Sequence, residues 1–256
     1  QRQMCIRDRC KDREGGIWIG SYFGGINYYP RFYTNFEKYY PKGIENGLHG
    51  KRVREFCQDN QGILWIGTED GGLNRFNLNT KEFSFFAPSA GFTNIHGLCL
   101  VDDKLWVGTF SKGLKIIDTR TGTVLKTYQK NSSPRSLIDN SIFAICRTAT
   151  GDIYLGTMFG LVKYNKQSDD FDRIPELNGK FVYDIKEDSG GNIWLATYAN
   201  GAYCYNVNDR KWKNYVHDEK DTTSLSYNKV SSIFEDSYHR IWLTTCLLYT
   251  SDAADD

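Results

Sequence analysis

A short pattern that recurs six times constrains the fold of this chain more than any other feature. Each copy holds an aromatic anchor and a Gly-Thr pair or close variant directly after the next residue, and a glycine turn follows in the first five copies. The anchors are spaced by 47, 41, 48, 40 and 48 residues. They are Trp18, Trp65, Trp106, Tyr154, Trp194 and Trp242. Strand-only repeats of this length are typical of propeller blades. The sequence therefore predicts an all-β chain, a β-propeller of four-stranded antiparallel blades.

The second repeat shows how one blade is read from the sequence. Segments 52–58, 63–68, 73–78 and 81–86 have the composition of four strands. Asp, Asn and Gly separate the first three segments, and these residues favour tight hairpin turns. The string Asp59-Asn60-Gln61-Gly62 also suggests a calcium loop, but it lacks the length and the final Glu of an EF-hand. We therefore interpret it as a turn, and we expect no metal and no cofactor.

Composition excludes several classes of function. The chain has 256 residues, 40% of them hydrophobic and 25% charged, with a formal net charge of +1. Its apolar runs are much shorter than the roughly 18 residues that a membrane span needs. The near-neutral, interspersed charge gives no basic face for nucleic acid. We expect a soluble, aromatic-rich β domain that binds no nucleic acid.

Both ends of the chain differ from the repeat. Residues 1–10 and 246–256 match no part of it, and the second segment interrupts the sixth copy directly after its IWLTT strand. We interpret both as non-native tails, which leaves residues 11–245 as the propeller repeats. The sequence shows no targeting segment, and this says nothing about the intact protein.

Three cysteines occupy one position of the repeat. Cys57, Cys99 and Cys146 each precede the anchor of their copy by seven or eight residues. Equivalent positions on neighbouring blades lie too far apart for a disulfide, which needs Cα atoms within roughly 7 Å. We expect these thiols to be small buried hydrophobic groups.

The repeat resembles a known family. The segments GILWIGTEDGGLNRFNLNTKEF and GNIWLATYANGAYCYNVNDRKW, and SLSYNKVSSIFED before IWLTT, are similar to the two-component regulator propeller repeat. The similarity runs from about Lys11 to Thr245. WD repeats would show Gly-His and Trp-Asp dipeptides, and kelch repeats would place the glycine pair before the aromatic residues. Neither pattern is present.

The resemblance implies an extracytoplasmic sensor. Such repeats usually form seven-bladed propellers before a β-domain, a transmembrane helix and a histidine kinase, often with DNA-binding modules. Members in Bacteroides-like bacteria detect oligosaccharides. The resemblance thus implies a periplasmic, non-catalytic, homodimeric sensor region of a hybrid histidine kinase, joined to the membrane only by segments outside this chain. Six copies would leave a seven-bladed ring incomplete.

The ligand is expected on one rim of the propeller. Loops that join strand two to strand three, and strand four to the next blade, share a face, and loops carry most binding sites. Aromatic rings there offer flat faces to sugars, and polar groups can bond hydroxyls. The candidate residues are Tyr22, Phe23, Arg52, His96, Phe110, Phe159, Tyr183, Tyr198 and Asn228. The same rings would also suit packing between blades, and Asn228 would also suit a turn cap.

Two other classes remain open. A propeller lyase or quinoprotein would need convergent histidines and carboxylates. Of the four histidines, only His49 and His96 could share the rim, and His239 belongs to the opposite face. A stand-alone propeller that binds proteins or glycans would have the same repeats without a downstream membrane helix.

Overall fold

The structure is a computed structural model that describes residues 6–11, 17–21, 25–29, 39, 41, 47–86 and 93–245. It divides into two compact units, residues 1–39 and residues 40–256. The first unit contains an antiparallel sheet in the order β1-β2-β3. Its strands are β1 (Ile6–Lys11), β2 (Ile17–Ser21) and β3 (Gly25–Tyr29).

The strand β1 includes residues that the sequence analysis assigned to a tail. Cys10 pairs with Trp18, and the register shifts between Ile6 and Asp8. In the second unit, Cys57 pairs with Trp65 and the register shifts in the same way between Val53 and Glu55. Residues 6–10 thus take up the pairing of a first blade strand, although their sequence gave little sign of it.

The second unit contains five antiparallel sheets, each built from consecutive strands. The second blade holds β4 (Val53–Gln58), β5 (Ile63–Thr68), β6 (Gly72–Asn77) and β7 (Phe83–Phe86). The third holds β8 (Ile95–Val101), β9 (Lys104–Thr109), β10 (Leu114–Asp118) and β11 (Val124–Tyr128). The fourth holds β12 (Ile142–Arg147), β13 (Ile153–Thr157), β14 (Gly160–Asn165) and β15 (Asp170–Arg173).

The remaining strands complete two more sheets. The fifth blade holds β16 (Val182–Glu187), β17 (Ile193–Thr197), β18 (Ala202–Asn206) and β19 (Lys211–Tyr215). The sixth sheet has β20 (Val230–Glu235) and β21 (Ile241–Thr245). The described residues form one short 3₁₀ helix, Pro175–Leu177, and no helix among them could span a membrane.

The strands β4, β8, β12, β16 and β20 are adjacent in chain order, so the first strand of each blade is innermost. The predicted all-β propeller of four-stranded blades is confirmed. The strands predicted for the second repeat are also confirmed, with ends that differ by one or two residues. The tail at 246–256 lies outside the described residues.

In three of the blades, one aspartate accepts hydrogen bonds both from the backbone of the first turn and from the indole N–H of the tryptophan anchor. In the fifth blade, Asp188 Oδ1 accepts the backbone N–H groups of Gly190 and Asn192, and Oδ2 accepts Nε1–H of Trp194 at 2.8 Å. Asp59 bonds Trp65 at 2.9 Å and Asp236 bonds Trp242 at 2.8 Å in the same way. The turn predicted at Asp59 is confirmed, and the bond to the indole is an addition that the sequence analysis missed.

At the other end of the second strand, the hydroxyl group of a buried threonine forms hydrogen bonds with the backbone of the next turn. The Oγ1–H of Thr197 donates to the carbonyl of Gly201 at 2.6 Å, and Oγ1 accepts the N–H of Asn200 at 3.0 Å. The hydroxyl groups of Thr68, Thr109 and Thr157 donate to a glycine carbonyl in the same way. These paired polar groups explain why the Gly-Thr step recurs, since a buried hydroxyl must be bonded.

The cores lie between neighbouring blades. Trp65 is fully buried and packs with Ile95 and Leu98 of the next blade. The cysteine of the second blade, Cys57, packs against this core, and Cys99 and Cys146 pack against the next two. All three thiols are free and directly opposite their anchors, which confirms the predicted equivalence and packing role. Burial raises the pKa of each thiol to about 11.

The aspartate at the first turn predicts a measurable effect on stability. We expect Asp188→Ala to lower the free energy of unfolding by about 2–3 kcal/mol, because it leaves N–H donors of the turn and of Trp194 unpaired. Asp209→Ala is the control, since that exposed carboxylate makes no contact among the described residues. Urea unfolding followed by circular dichroism measures both. Equal midpoints for the two variants would contradict the proposed role.

Candidate functional site

Each first strand contains a bulge at its second residue. The register shifts around Arg54, His96, Phe143, Tyr183 and Ser231. A bulge redirects the side chain of its extra residue. Because the first strands are innermost, the five bulge residues lie in a ring at the channel mouth, on the side of the two-to-three turns.

Aromatic side chains gather around this ring of bulge residues. The ring centroid of His96 lies 4.6 Å from that of Phe143 and 5.8 Å from that of Phe110. Phe143 is 4.4 Å from Phe181, and Phe181 stacks on Tyr198 at 5.4 Å. We call the following set the rim cluster: Arg54, His96, Phe110, Phe143, Phe181, Tyr183, Tyr198 and Lys229. It combines residues of five blades on one face.

Two cations lie over rings of the rim cluster. The guanidinium carbon of Arg54 is 4.5 Å from the ring centroid of Tyr183, although the two belong to the second and fifth blades. The ammonium group of Lys229 is 4.4 Å from the ring centroid of Tyr198. Arg54 forms no ion pair with any described residue. A stacked guanidinium keeps its in-plane N–H groups available for hydrogen bonds.

Two polar atoms at the edge of the rim cluster are buried and have no hydrogen-bond partner among the residues that the structure describes. They are Nδ1 of His96 and Oδ1 of Asn94. Burial lowers the pKa of His96 to about 4, and the positive charge of Arg54 contributes in the same direction. The imidazole is therefore neutral at neutral pH. Buried polar groups are nearly always bonded, so two orphaned atoms so close in sequence indicate a place where a ligand or water binds.

A carboxyl group follows the bulge in two of the blades. Burial raises the pKa of Glu55 above its usual range, partly opposed by a backbone hydrogen bond from Phe56. Asp184 Oδ2 accepts the backbone N–H of Ile233 at 2.9 Å, which ties the fifth blade to the sixth. Burial thus makes the carboxyl group of Glu55 more readily protonated than an exposed glutamate.

The structure brings together four of the residues predicted from the sequence. His96, Phe110, Tyr183 and Tyr198 all belong to the rim cluster. Backbone bonds place the two kinds of loop on one face, for example from Phe110 N–H to the carbonyl of Asn94 and from Tyr198 N–H to that of Phe181. The predicted residues Tyr22 and Phe23 lie outside the described residues.

Three predicted residues lie on the same face without contacting the rings. The side chain of Arg52 is exposed, and its backbone N–H donates to Oδ1 of Asp70. Phe159 is 52% exposed and has no ring contact within the described residues. Asn228 acts as a turn cap, because its Oδ1 accepts the N–H of His217 at 2.7 Å and its carbonyl accepts that of Gly201. Asn140 caps the equivalent loop in the same way.

Three members of the rim cluster were missed in the sequence: Arg54, Phe143 and Phe181. A positional signal does exist for two of them. Arg54 and Phe143 each precede their anchor by 11 residues, as Tyr183 does. Alignment of the six copies on their anchors would have grouped these positions, but it could not show that they are bulged.

The histidines do not converge in the described structure. His49 stacks on Phe85 at 4.5 Å, whereas His96 contacts Phe110 and Phe143. The other two, His217 and His239, bond to a loop carbonyl and to Glu235 respectively. Among the described residues, no three His, Cys, Asp or Glu side chains form a group that could hold a metal ion.

Comparison with known proteins identifies the repeat. Residues 47–70, 176–199 and 224–246 match the family described as two component regulator propeller. These three segments are similar to the two-component regulator propeller repeat. Histidine kinase P4 of Formosa agariphila is 26% identical over 152 residues, which cover 59% of this chain and 8% of that protein. The chain therefore spans a small part of this relative.

Solved structures share the propeller fold. One is the extracellular domain of a protein assigned to the hybrid two-component systems of B. thetaiotaomicron, with 23% identity and a TM-score of 0.54. The match covers 94% of this chain and 37% of that one. A second is virginiamycin B lyase of Staphylococcus aureus, with 14% identity, a TM-score of 0.56, and coverage of 78% and 64%. The fold thus serves sensors and enzymes alike, and function must be argued from the site.

The buried histidine of the rim cluster predicts a specific pH dependence. Because the pKa of His96 is lower in the folded state than in the unfolded state, the unfolded chain binds more protons between about pH 4 and pH 6.5. Stability then falls as the pH drops through that window, by up to about 3 kcal/mol from this one group.

We expect His96→Phe to reduce this loss, measured as the difference in unfolding free energy between pH 7 and pH 4.5. The control is His49→Phe, which changes a histidine that stacks on a single phenylalanine. If the two variants lose stability equally with acid, His96 is not the buried neutral group described above.

Proposed function

We propose that this chain is the ligand-sensing propeller of a two-component sensor histidine kinase, and that the rim cluster binds oligosaccharides. The observation that carries the proposal is the rim cluster itself. It combines half-exposed rings, two stacked cations and two orphaned polar atoms on one face. Aromatic faces suit the C–H groups of sugars, and the polar atoms suit their hydroxyls.

The sensor assignment rests on the family and on its relatives. The repeats are those of two-component regulators, one relative is a histidine kinase, and the similar B. thetaiotaomicron structure is an extracellular domain. These similarities support a periplasmic position for the chain, with signalling performed by other parts of the protein. They favour a sensor over a stand-alone binding propeller.

We further propose that the signal depends on differential binding in a homodimer. A ligand can shift a conformational equilibrium only by as much as its affinities for the two states differ. The Arg54–Tyr183 contact joins the second blade to the fifth across the channel mouth. A ligand that binds there would contact several blades at once and could favour one arrangement of the two subunits.

Substitutions in the rim cluster test the binding site. A panel of neutral hexasaccharides with glucose, xylose, arabinose or galactose backbones is titrated by calorimetry. We expect Phe110→Ala and Tyr198→Ala each to weaken binding of any recognised hexasaccharide by about tenfold, the usual loss for removal of a contacting aromatic ring. Both rings are 40–46% exposed, so the fold should remain stable.

Tyr238→Ala is the matched control, because that tyrosine is 76% exposed on a one-to-two turn at the opposite face. Affinity that falls equally for all three variants, or for none of them, would contradict binding at the rim. Failure of every hexasaccharide to bind would contradict the proposed ligand class.

The proposed coupling is tested in the full-length protein that contains this chain. Saturation with a hexasaccharide that binds the rim should change the initial rate of autophosphorylation, and Tyr198→Ala should shift that response to higher ligand concentration. A rate that stays constant while the ligand binds would overturn the coupling and leave a binding propeller.

A further inference from the structure

A cleft of about 990 Å³ opens between the third and fourth blades, on the face opposite to the rim cluster. It is lined by one-to-two and three-to-four turns, including Asp102, Gly151 and Lys166. Trp106, Tyr128 and Tyr164 supply aromatic surface to its wall. The volume is within the range of small-ligand sites.

The cleft lies between two blades that lack the hydrogen bond between the turn aspartate and the indole N–H of the anchor. In the third blade the turn shortens to Asp102-Asp103, with φ of +56° at Asp102, and no described residue accepts a hydrogen bond from Trp106 Nε1. In the fourth blade Thr148 and Tyr154 replace the pair. The side chain of Trp106 lines the cleft.

A hydrogen-bonded bridge holds the two walls together. The carboxylate of Asp169, in the fourth blade, accepts bonds from the hydroxyl groups of Tyr128 and Tyr164 and pairs with Lys126. Tyr128 and Lys126 belong to the outermost strand of the third blade. The ring of Trp106 meets that of Tyr164 edge-on at 5.0 Å. The aromatic wall is therefore fixed by both blades before any ligand arrives.

The charges of the cleft leave two cations unpaired. Lys126 pairs with Asp169, Arg147 with Asp102 and Lys163 with Asp152. Lys104 and Lys166 line the cleft, one from each blade, and neither pairs with a carboxylate among the described residues. An anionic group between them would gain two charge-assisted bonds.

We propose that this cleft is a second ligand site, which binds an acidic saccharide. The anionic substituent lies between Lys104 and Lys166, and a ring hydroxyl accepts the hydrogen bond from Trp106 Nε1–H. The carboxylate of a uronic acid and a sulfate ester share this chemistry. The site is separate from the rim cluster, and its existence does not depend on what the rim binds.

The test uses the 256-residue chain and three hexasaccharides: an oligogalacturonate, a sulfated galactan fragment and neutral cellohexaose. We expect one or both acidic probes to bind, with an affinity that weakens as NaCl is raised. Lys104→Ala combined with Lys166→Ala should weaken acidic binding by about tenfold or more. Trp106→Phe keeps an aromatic ring but removes the N–H donor, and should also weaken it.

The control for charge is Lys211→Ala combined with Lys220→Ala, which removes two exposed lysines of the fifth blade and the loop after it. Cellohexaose binding that the cleft variants weaken as much as acidic binding, or acidic binding that is equally weakened by both lysine pairs, would overturn the proposed site. So would acidic binding lost in Phe110→Ala and Tyr198→Ala but kept in the cleft variants. Preference between the two acidic probes identifies carboxylate or sulfate as the recognised group.

Discussion

Close approach of neighbouring blades at one glycine position is the constraint on which the rest of the structure depends. A Cβ atom added to Gly67 would lie 2.6 Å from Ile95 Cγ2, and one added to Gly108 would lie 2.7 Å from Ile142 Cγ2. Gly156 meets Val182 in the same way. Each second strand thus lies against the branched residue that begins the next first strand. Gly67, Gly108 and Gly156 leave room for that branched residue, and Ala196 takes the same place beside Val230.

This approach also fixes where the bulge residues lie. The branched residue held by the glycine is immediately followed by the bulge, as in Ile95 and His96 or Val182 and Tyr183. Packing between blades therefore positions the bulge residues of the rim cluster. In the regular repeat, Asp188, Thr197 and their equivalents form hydrogen bonds with the polar groups of the turns. Nδ1 of His96 and Nε1 of Trp106 have no such partner among the described residues, so they mark places where the chain departs from the repeat.

Much of the frame could be predicted from the sequence, because a propeller repeats its local interactions. The spacing of the anchors predicted the number and kind of blades, and the turn residues predicted where the strands end. The site was predicted only in part: His96 and Tyr198 were found from loop position, whereas Arg54 and Phe143 were missed. Alternation along a strand assigns each side chain to a face, and a bulge breaks that alternation. The contact of Arg54 with Tyr183 spans 129 positions of sequence, and no local pattern reports it.

Hydrogen–deuterium exchange of the chain, with and without a recognised neutral hexasaccharide, tests most directly whether the channel mouth binds the ligand. The account predicts slower exchange at the starts of the first strands and in the two-to-three turns, near residues 94–98, 110–113, 141–144, 181–184 and 198–201. Exchange should be unchanged in the three-to-four turns, such as 165–169 and 206–210. Protection confined to those turns, or spread evenly over all blades, would contradict a ligand site at the rim cluster.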